Sequence, residues 1–374
     1  MSTGLDAVAQ GFVKSLRGKR VALLTNHTAI DAWGRHAVQI LREQGVTITR
    51  LLCPEHGLWG VAQDMEPVEG GHDPIFGLPV VSLYGRDKAS LTPNPDALAD
   101  VDLLVYDIQD IGTRYYTYAA TLALAMQVAA PLSVPVMVLD RPNPIGPRRE
   151  GPLLKPGYES FCGLVAGLPV RHGMTVGELA HWYRARLAPT CELTVIEARK
   201  GSKLPFSPTS PNMPTRETAL VYPGMCLFEG TTLSEGRGTT SPFLQVGCPG
   251  LDSLSVVERM RKKDCPGVDV VPVRFRPAFG KYAGQVVDGV YLRVYDDTAL
   301  QAVKLGVYLL DAIKREAPAR FAWRTDAYEF VTDKPAIDLL WGSSELRECL
   351  DQSGDVDTLL EKAAAEVSGW KPTW

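Results

Sequence analysis

Short apolar runs alternate with stretches of helical spacing through the first 145 residues. Residues 20–25 (RVALLT) are an apolar run whose length suits a strand buried on both faces. Residues 36–44 have the spacing of an amphipathic helix and stop at Gly45, a residue that ends helices readily. Further strands are predicted at 48–53 (ITRLLC), 79–83, 101–108 (VDLLVYDI) and 134–139 (VPVMVL). A helix is predicted over 116–130, stopping before Pro131. Apolar strands with helices between them imply a parallel sheet covered on both faces. The expected class is therefore α/β, with a Rossmann-like doubly wound parallel sheet.

The pattern changes after residue 142. Residues 142–250 are rich in Pro, Gly, Ser and Thr and hold one clear helix, 175–187 (TVGELAHWYRARL). Their aromatic and apolar content predicts ordered functional loop rather than disorder. Beyond 250 an α+β pattern follows: a helix over 254–262, strands over 268–274 and 286–295, a helix over 298–317 and a last helix over 356–367. The expected organisation is a Rossmann-like catalytic domain over 1–248, including the long loops, and a smaller α+β auxiliary domain over 249–374.

The length of 374 residues suits two cores. The net charge of −4, with no run of five like charges, gives no basic face for nucleic acid or an anionic membrane. No apolar stretch reaches the roughly 18 residues that a membrane-spanning helix needs. The first 20 residues lack the charged and apolar regions of a secretory leader. The seven cysteines are scattered without CxxC spacing, which predicts free thiols in a reducing compartment, hence the cytoplasm.

In open parallel sheets, ligands bind beyond the carboxyl ends of the strands. Each predicted strand here delivers polar residues to that edge. Asn26, His27 and Thr28 follow the first, and Pro54-Glu55-His56-Gly57 the second. Asp107, Gln109, Asp110, Arg114, Tyr115 and Tyr116 lie at and beyond the end of 101–108, and Asp140, Arg141 and Asn143 beyond 134–139. Such a mixture of donors, acceptors and aromatic faces suits a sugar. No GxGxxG follows the first strand and no GxxxxGK[ST] occurs, so a nucleotide cofactor is not expected; none of any kind is.

Glycoside hydrolysis usually needs two carboxyl groups. Glu55, held in a turn by Pro54 and Gly57 directly after a buried strand, is the first candidate for general acid. The loop 227–243 (LFEGTTLSEGRGTTSPF) offers Glu229 and Glu235 as the second carboxylate, among glycines that permit close backbone approach. Candidate substrate-binding residues are Asn26, His56, Asp107, Gln109, Arg114, Tyr116, Arg141, Asn143, His172, Asn212, Arg237 and Thr239. Asp140 is expected to pair with its neighbour Arg141, and His172 to support the start of the helix at 175. Glu178 and His181 lie three apart on a helix but lack a third ligand, so no metal is expected. The absence of GxSxG disfavours a serine hydrolase, and Cys53, ending a buried strand, reads as inert.

Several of these segments together resemble one family: 54–57 (PEHG), 78–85 (LPVVSLYG), 106–118 (YDIQDIGTRYYTY), 138–146 (VLDRPNPIG), 150–152 (EGP), 168–180 (LPVRHGMTVGELA), 210–215 (SPNMPT) and 220–243 (LVYPGMCLFEGTTLSEGRGTTSPF). The chain is similar to the NamZ-type exo-β-N-acetylmuramidases, long a bacterial domain of unknown function. The resemblance implies an active cleft between a Rossmann-like and an auxiliary domain. It implies removal of N-acetylmuramic acid from the non-reducing end of peptidoglycan fragments, so the expected partner is a small carbohydrate. It carries Glu55 over as catalytic acid and the loop 227–243 as substrate-facing. Arg141 and Arg237 are then the candidates to pair with the lactyl carboxylate. The chain departs from the family pattern at His27-Thr28-Ala29 and over 196–209 (IEARKGSKLPFSPT), where relatives carry a tryptophan-containing stretch. The competing expectation is a non-catalytic muropeptide sensor or carrier; a metal-dependent amidase or deacetylase is a third.

Overall fold

A computed structural model describes residues 2–63, 65–199 and 204–374, so part of the divergent stretch 196–209 lies outside the described residues. In chain order the first unit runs α1 (Gly4–Ala9), β1 (Arg20–Thr25), α2 (Ala37–Glu43), β2 (Thr47–Cys53), β3 (Gly71–Asp73), β4 (Leu78–Ser82), β5 (Leu103–Asp107), α3 (Tyr118–Ala129) and β6 (Val136–Leu139). It continues with β7 (Glu150–Leu153), β8 (Pro169–Arg171), α4 (Val176–Leu187) and β9 (Leu193–Ile196). Seven of these strands form one sheet in the order β3-β4-β2-β1-β5-β6-β9. Every neighbouring pair is parallel except the edge pair β3–β4, which is antiparallel. The chain starts at the centre, winds outward to β4, then crosses to β5 and winds the other way. The predicted α/β doubly wound sheet is present, with β1 and β5 flanking its switch point.

Side-chain alternation sorts the strand residues onto two cores. Ala22, Leu24, Leu52, Leu104, Tyr106, Val136 and Val138 face the side covered by α3 and α4. Val21, Leu23, Leu51, Val105, Met137 and Leu139 face the side of α1 and α2. All of them are buried. At about 1.5–3 kcal/mol for each fully buried large apolar side chain, this two-sided packing explains why the strands read as continuous apolar runs.

The second half contains more regular structure than its sequence pattern predicts. Residues Arg216–Met225 form α5, hidden from periodicity because its last turn carries Pro223 and Gly224. Next come β10 (Gln245–Cys248), α6 (Ser253–Arg261), β11 (Val268–Phe275), β12 (Val287–Val294) and α7 (Ala302–Glu316). The chain closes with α8 (Ala336–Trp341), α9 (Glu345–Asp351) and α10 (Val356–Ser368). A three-stranded antiparallel sheet, β10-β12-β11, is the smaller second sheet. Helix α5 crosses α7 at two glycines. A Cβ on Gly224 would lie 1.8 Å from the Ala302 carbonyl oxygen, and one on Gly306 would lie 2.3 Å from that of Gly224. This approach sets the position of the 3-10 turn Cys226–Gly230, which follows α5 directly and carries Glu229.

Candidate active site

A cleft enclosing about 420 Å3, including its open mouth, lies beyond the carboxyl ends of β2 and β5. Glu55, His56, Tyr116, Asn212, Glu229 and Arg237 line it. Tyr222, Phe243, Tyr328 and Glu329 complete much of its wall.

Glu55 enters the cleft because β2 ends in Pro54 and the backbone then reverses through two left-handed residues, His56 (φ 67) and Gly57 (φ 77). A non-glycine residue in that region is strained, and such strain concentrates at functional turns. His56 is held by its Nδ1, 2.9 Å from the Ala62 carbonyl. The Glu55 carboxyl is 4% exposed. Its Oε2 accepts a 2.6 Å hydrogen bond from Thr117 Oγ1, and its Oε1 a 3.4 Å bond from the Met65 amide. Thr117 is the N-cap of α3, yet its side chain caps no backbone amide there. The hydroxyl that would ordinarily cap the helix is spent on Glu55.

Glu229 is held on both carboxyl oxygens. Arg237 Nη1 lies 2.9 Å from Oε1, the Cys226 thiol donates to the same oxygen at 3.3 Å, and the Tyr328 hydroxyl donates to Oε2 at 2.7 Å. Arg237 also sits over the Phe243 ring, 5.0 Å from its centroid. Tyr116 bonds Thr209 Oγ1 at 2.5 Å, and Tyr118 donates to the Thr209 carbonyl, which fixes the SPNMPT loop. Asn212 Nδ2 donates to Gln63 Oε1 at 3.0 Å.

Glu235 is not part of the cleft lining. Lys281 Nζ is 2.9 Å from its Oε2 and Arg237 Nη1 3.4 Å from its Oε1. Burial pushes this carboxyl up, but Lys281 and Arg237 together outweigh it and hold it below the usual glutamate value. A carboxylate held ionised by two cations is suited to positioning Arg237, not to moving protons.

The other expected site residues are spent inside the fold. Arg141 does not pair with Asp140. It forks onto Asp107 with contacts of 2.5 and 3.0 Å and donates its third nitrogen to the Ile30 carbonyl. Asp140 accepts from the Gly177 amide at 2.8 Å in the first turn of α4, where a carboxylate is favoured. Asn26 receives the Thr28 amide and hydroxyl, while Gln109 donates to the carbonyls of Asp110 and Pro142. This network lies at the carboxyl ends of β1 and β5. Arg114, buried, donates to the carbonyls of Pro152, Leu168 and Leu340 and so ties β7 and the segment before β8 to α8. Burial lowers its pKa to about 10. Asn143 donates to the Met174 carbonyl, and Thr239 bonds the Gly236 carbonyl and the Gln245 amide.

His172 does support the helix start, accepting from the Met174 amide on Nδ1. Burial, aided by Arg171, lowers its pKa to about 3, so the ring is neutral. Its Nε2 faces Asp110 at 3.8 Å. Burial raises the Asp110 pKa to about 7. Glu178 closes a capping box with Thr175 and His181 stacks on Trp374, so neither is arranged for a metal. No group of three metal-ligating side chains occurs among the described residues. A wider hollow of about 770 Å3, including its open mouth, between α6 and α7 is lined by charged residues such as Arg259, Lys263 and Glu316, and ion pairs occupy all three. Among the described residues its aromatic lining is Tyr308 alone, against Tyr115, Tyr116, Tyr222, Phe243 and Tyr328 in the first cleft.

Tyr328 and Glu329 were not foreseen from sequence. They lie in 321–334 (FAWRTDAYEFVTDK), which has neither periodicity nor a motif, and reach the cleft only through folding.

Residues 21–217 match the family profile described as exo-beta-N-acetylmuramidase NamZ, N-terminal, and residues 220–373 match its C-terminal counterpart. The chain is 39% identical over 370 residues to the peptidoglycan beta-N-acetylmuramidase NamZ of Bacillus subtilis (strain 168), covering 96% of this chain and 86% of that protein. Two crystal structures of DUF1343 family proteins from Bacteroides fragilis NCTC 9343 share the fold. One has a TM-score of 0.86 at 31% identity and the other 0.76 at 28%, each covering 98% of this chain and 95% of its own. With both halves of the family matched along nearly the whole chain, this protein belongs to the NamZ exo-β-N-acetylmuramidase family.

Proposed function

We propose that the chain is a glycoside hydrolase that releases terminal β-linked N-acetylmuramic acid from the non-reducing ends of peptidoglycan fragments. The observation that carries this reading is Glu55, a buried carboxyl lining the cleft, bonded to a hydroxyl at a helix start and sharing the cleft with Glu229. Glu55 protonates the leaving oxygen. Glu229, gripped by Arg237 and Tyr328, stabilises the positive charge that develops at the anomeric carbon. Arg237 is the guanidinium that meets the lactyl carboxylate, since it lines the cleft, whereas Arg141 lies outside that lining on Asp107 and Ile30. Tyr116, Asn212 and His56 supply the remaining polar contacts to the sugar, and Tyr222 and Phe243 its apolar wall.

The substrate is a small carbohydrate rather than a nucleic acid, and no helix among the described residues is long and apolar enough to cross a membrane. All seven cysteines are free, which supports a reducing compartment and a task in recycling muropeptides there.

The decisive experiment compares a chromogenic β-N-acetylmuramide with the matching β-N-acetylglucosaminide. The expected result is release from the first only. Replacement Glu55→Gln is expected to lower that rate by about 10²–10⁴-fold without changing the unfolding midpoint. Binding of the muramide without release, by an intact fold, would favour a sensor or carrier instead. Full turnover by the Gln variant would remove Glu55 from the reaction.

A further inference from the structure

Among the described residues three carboxyl groups, not two, border the cleft: Glu55, Glu229 and Glu329. The third comes from the far end of the chain. Tyr328 and Val331 bond each other through both amides, at 3.0 and 2.9 Å, closing a two-residue turn. Its central residues Glu329 (φ 46) and Phe330 (φ 65) are both left-handed, as in a type I′ turn. Such turns ordinarily use Asn-Gly, because other residues are strained there. Here Glu-Phe occupies the turn, and both side chains are anchored. The Phe330 ring meets Tyr84 at 6.0 Å, and the Tyr84 hydroxyl donates to Glu329 Oε2 at 3.2 Å. Tyr328, one residue earlier, donates to Glu229. The strained turn thus places a glutamate, 4% exposed, in the cleft wall.

The three carboxyls differ in what holds them. Glu55 belongs to the Rossmann-like unit and accepts from a hydroxyl and an amide. Glu229 is gripped by a guanidinium, a thiol and a tyrosine hydroxyl, which fix its carboxyl in place to stabilise charge. Glu329 arrives from the other unit on a separate anchor, so acid and base can meet a sugar from different walls of the cleft. All three line the same cleft, and their fields also reach the buried Cys162. Its thiol is pushed up first by burial, then by the fields of Glu329, Glu229 and Glu55.

We propose that Glu329 is the general base of the hydrolysis, an inference that rests on the glycosidase reading given above. The oxygen of a water bonds to the anomeric carbon as the bond to the leaving sugar breaks. The electron pair of that bond stays on the leaving oxygen, which takes the Glu55 proton, while the water's proton passes to Glu329. Exchange of one proton with solvent restores both groups. Attack opposite the leaving group converts a β-glycoside into α-N-acetylmuramic acid.

Wild type, Glu329→Gln and Glu329→Ala are compared on the chromogenic β-N-acetylmuramide as a function of pH, and the first anomer released by wild type is read by proton NMR. Gln keeps the volume and an acceptor for Tyr84, so its urea midpoint reports whether the fold is intact. The expected result is a loss of about 10²–10⁴-fold in kcat/KM, with the acidic limb of the pH profile abolished. Azide is expected to restore Glu329→Ala and yield the α-glycosyl azide, and wild type to release the α anomer first. Near-normal turnover by both variants overturns the proposal. So does a loss that leaves the acidic limb in place and is not rescued by azide, and so does release of the β anomer. Wild type failing on the muramide would instead overturn the glycosidase reading, which separates the two failures.

Discussion

Lys281→Met is expected to destabilise the protein by about 2–3 kcal/mol near neutral pH, and by less in mild acid. Lys281 Nζ bonds two acceptors: Glu235 Oε2 at 2.9 Å and the Phe228 carbonyl at 3.0 Å, in the turn that carries Glu229. Its removal leaves the buried Glu235 carboxylate with Arg237 alone, at the longer contact of 3.4 Å. Breaking a fully buried pair costs about 3–5 kcal/mol. Here the Lys281 side chain is 26% exposed, so water can replace part of what is lost, and Arg237 remains. The cost therefore falls toward the lower end. The pH dependence follows from the direction of the Glu235 shift. Burial raises this group, Lys281 and Arg237 lower it further, and the net is below its ordinary 4.5. A carboxyl held below its unfolded value adds stability above that value and loses it as pH falls through the folded pKa. Without Lys281, burial weighs more heavily, Glu235 takes a proton more readily, and the deficit against wild type shrinks on acidification. Urea unfolding followed by tryptophan fluorescence, at about pH 7.5 and about pH 5, measures both terms. Adding Glu235→Gln to Lys281→Met should recover much of the loss at neutral pH, because no buried charge then lacks its partner. A deficit below about 0.5 kcal/mol, within the range of ordinary surface changes, would refute the ion-pair account. An equal deficit at both pH values would refute it too, and either result would return Glu235 to the candidates for proton transfer.

Two further outcomes are expected. Gly224→Ala should cost about 3 kcal/mol or more, since its Cβ would lie 1.8 Å from the Ala302 carbonyl oxygen. The turn bearing Glu229 would shift with α5, so activity should fall along with the melting temperature; a variant that keeps both would show that the helix crossing can relax. Cys53, Cys162 and Cys226 should resist iodoacetamide in the native protein, because burial drives the Cys53 thiol to about 12 and the other two well above their ordinary value. Mass spectrometry should find the partly exposed Cys265 and Cys349 modified first. Rapid labelling of Cys226 would contradict the closed packing behind Glu229.

The block 220–243 and the PEHG turn at 54–57, singled out in the sequence, both contribute residues to the cleft lining. Of the expected site residues, Glu55, His56, Tyr116, Asn212, Glu229 and Arg237 reach one cleft. Asp107, Arg114, Arg141 and Asn143 stand at the same strand ends, yet the fold uses them for its own hydrogen bonds. A polar residue after a strand looks the same in sequence whether it faces a ligand or a neighbouring carbonyl. Adjacency misled in the same way at Asp140 and Arg141. Successive residues rarely face each other, and Arg141 found Asp107 across the parallel sheet instead.

What the sequence determined by itself was local: apolar runs of strand length, helical spacing between them, and glycines and prolines at the turns. Those patterns act over a few residues through backbone geometry and burial, and they sufficed for the doubly wound sheet of β1, β2, β4, β5 and β6. Helix α5 and strands β7, β8 and β10 escaped, because short elements with Pro or Gly inside them are stabilised by packing rather than by pattern, and β9 escaped because four residues are too few to show one. Only the tertiary structure decided that Glu229 meets Tyr328, 99 residues away, and that Tyr84 meets Glu329, 245 residues away. No propensity couples residues so far apart. They are joined by the crossing of α5 on α7 and by a strained turn that pays its conformational cost through the contacts it completes at the cleft.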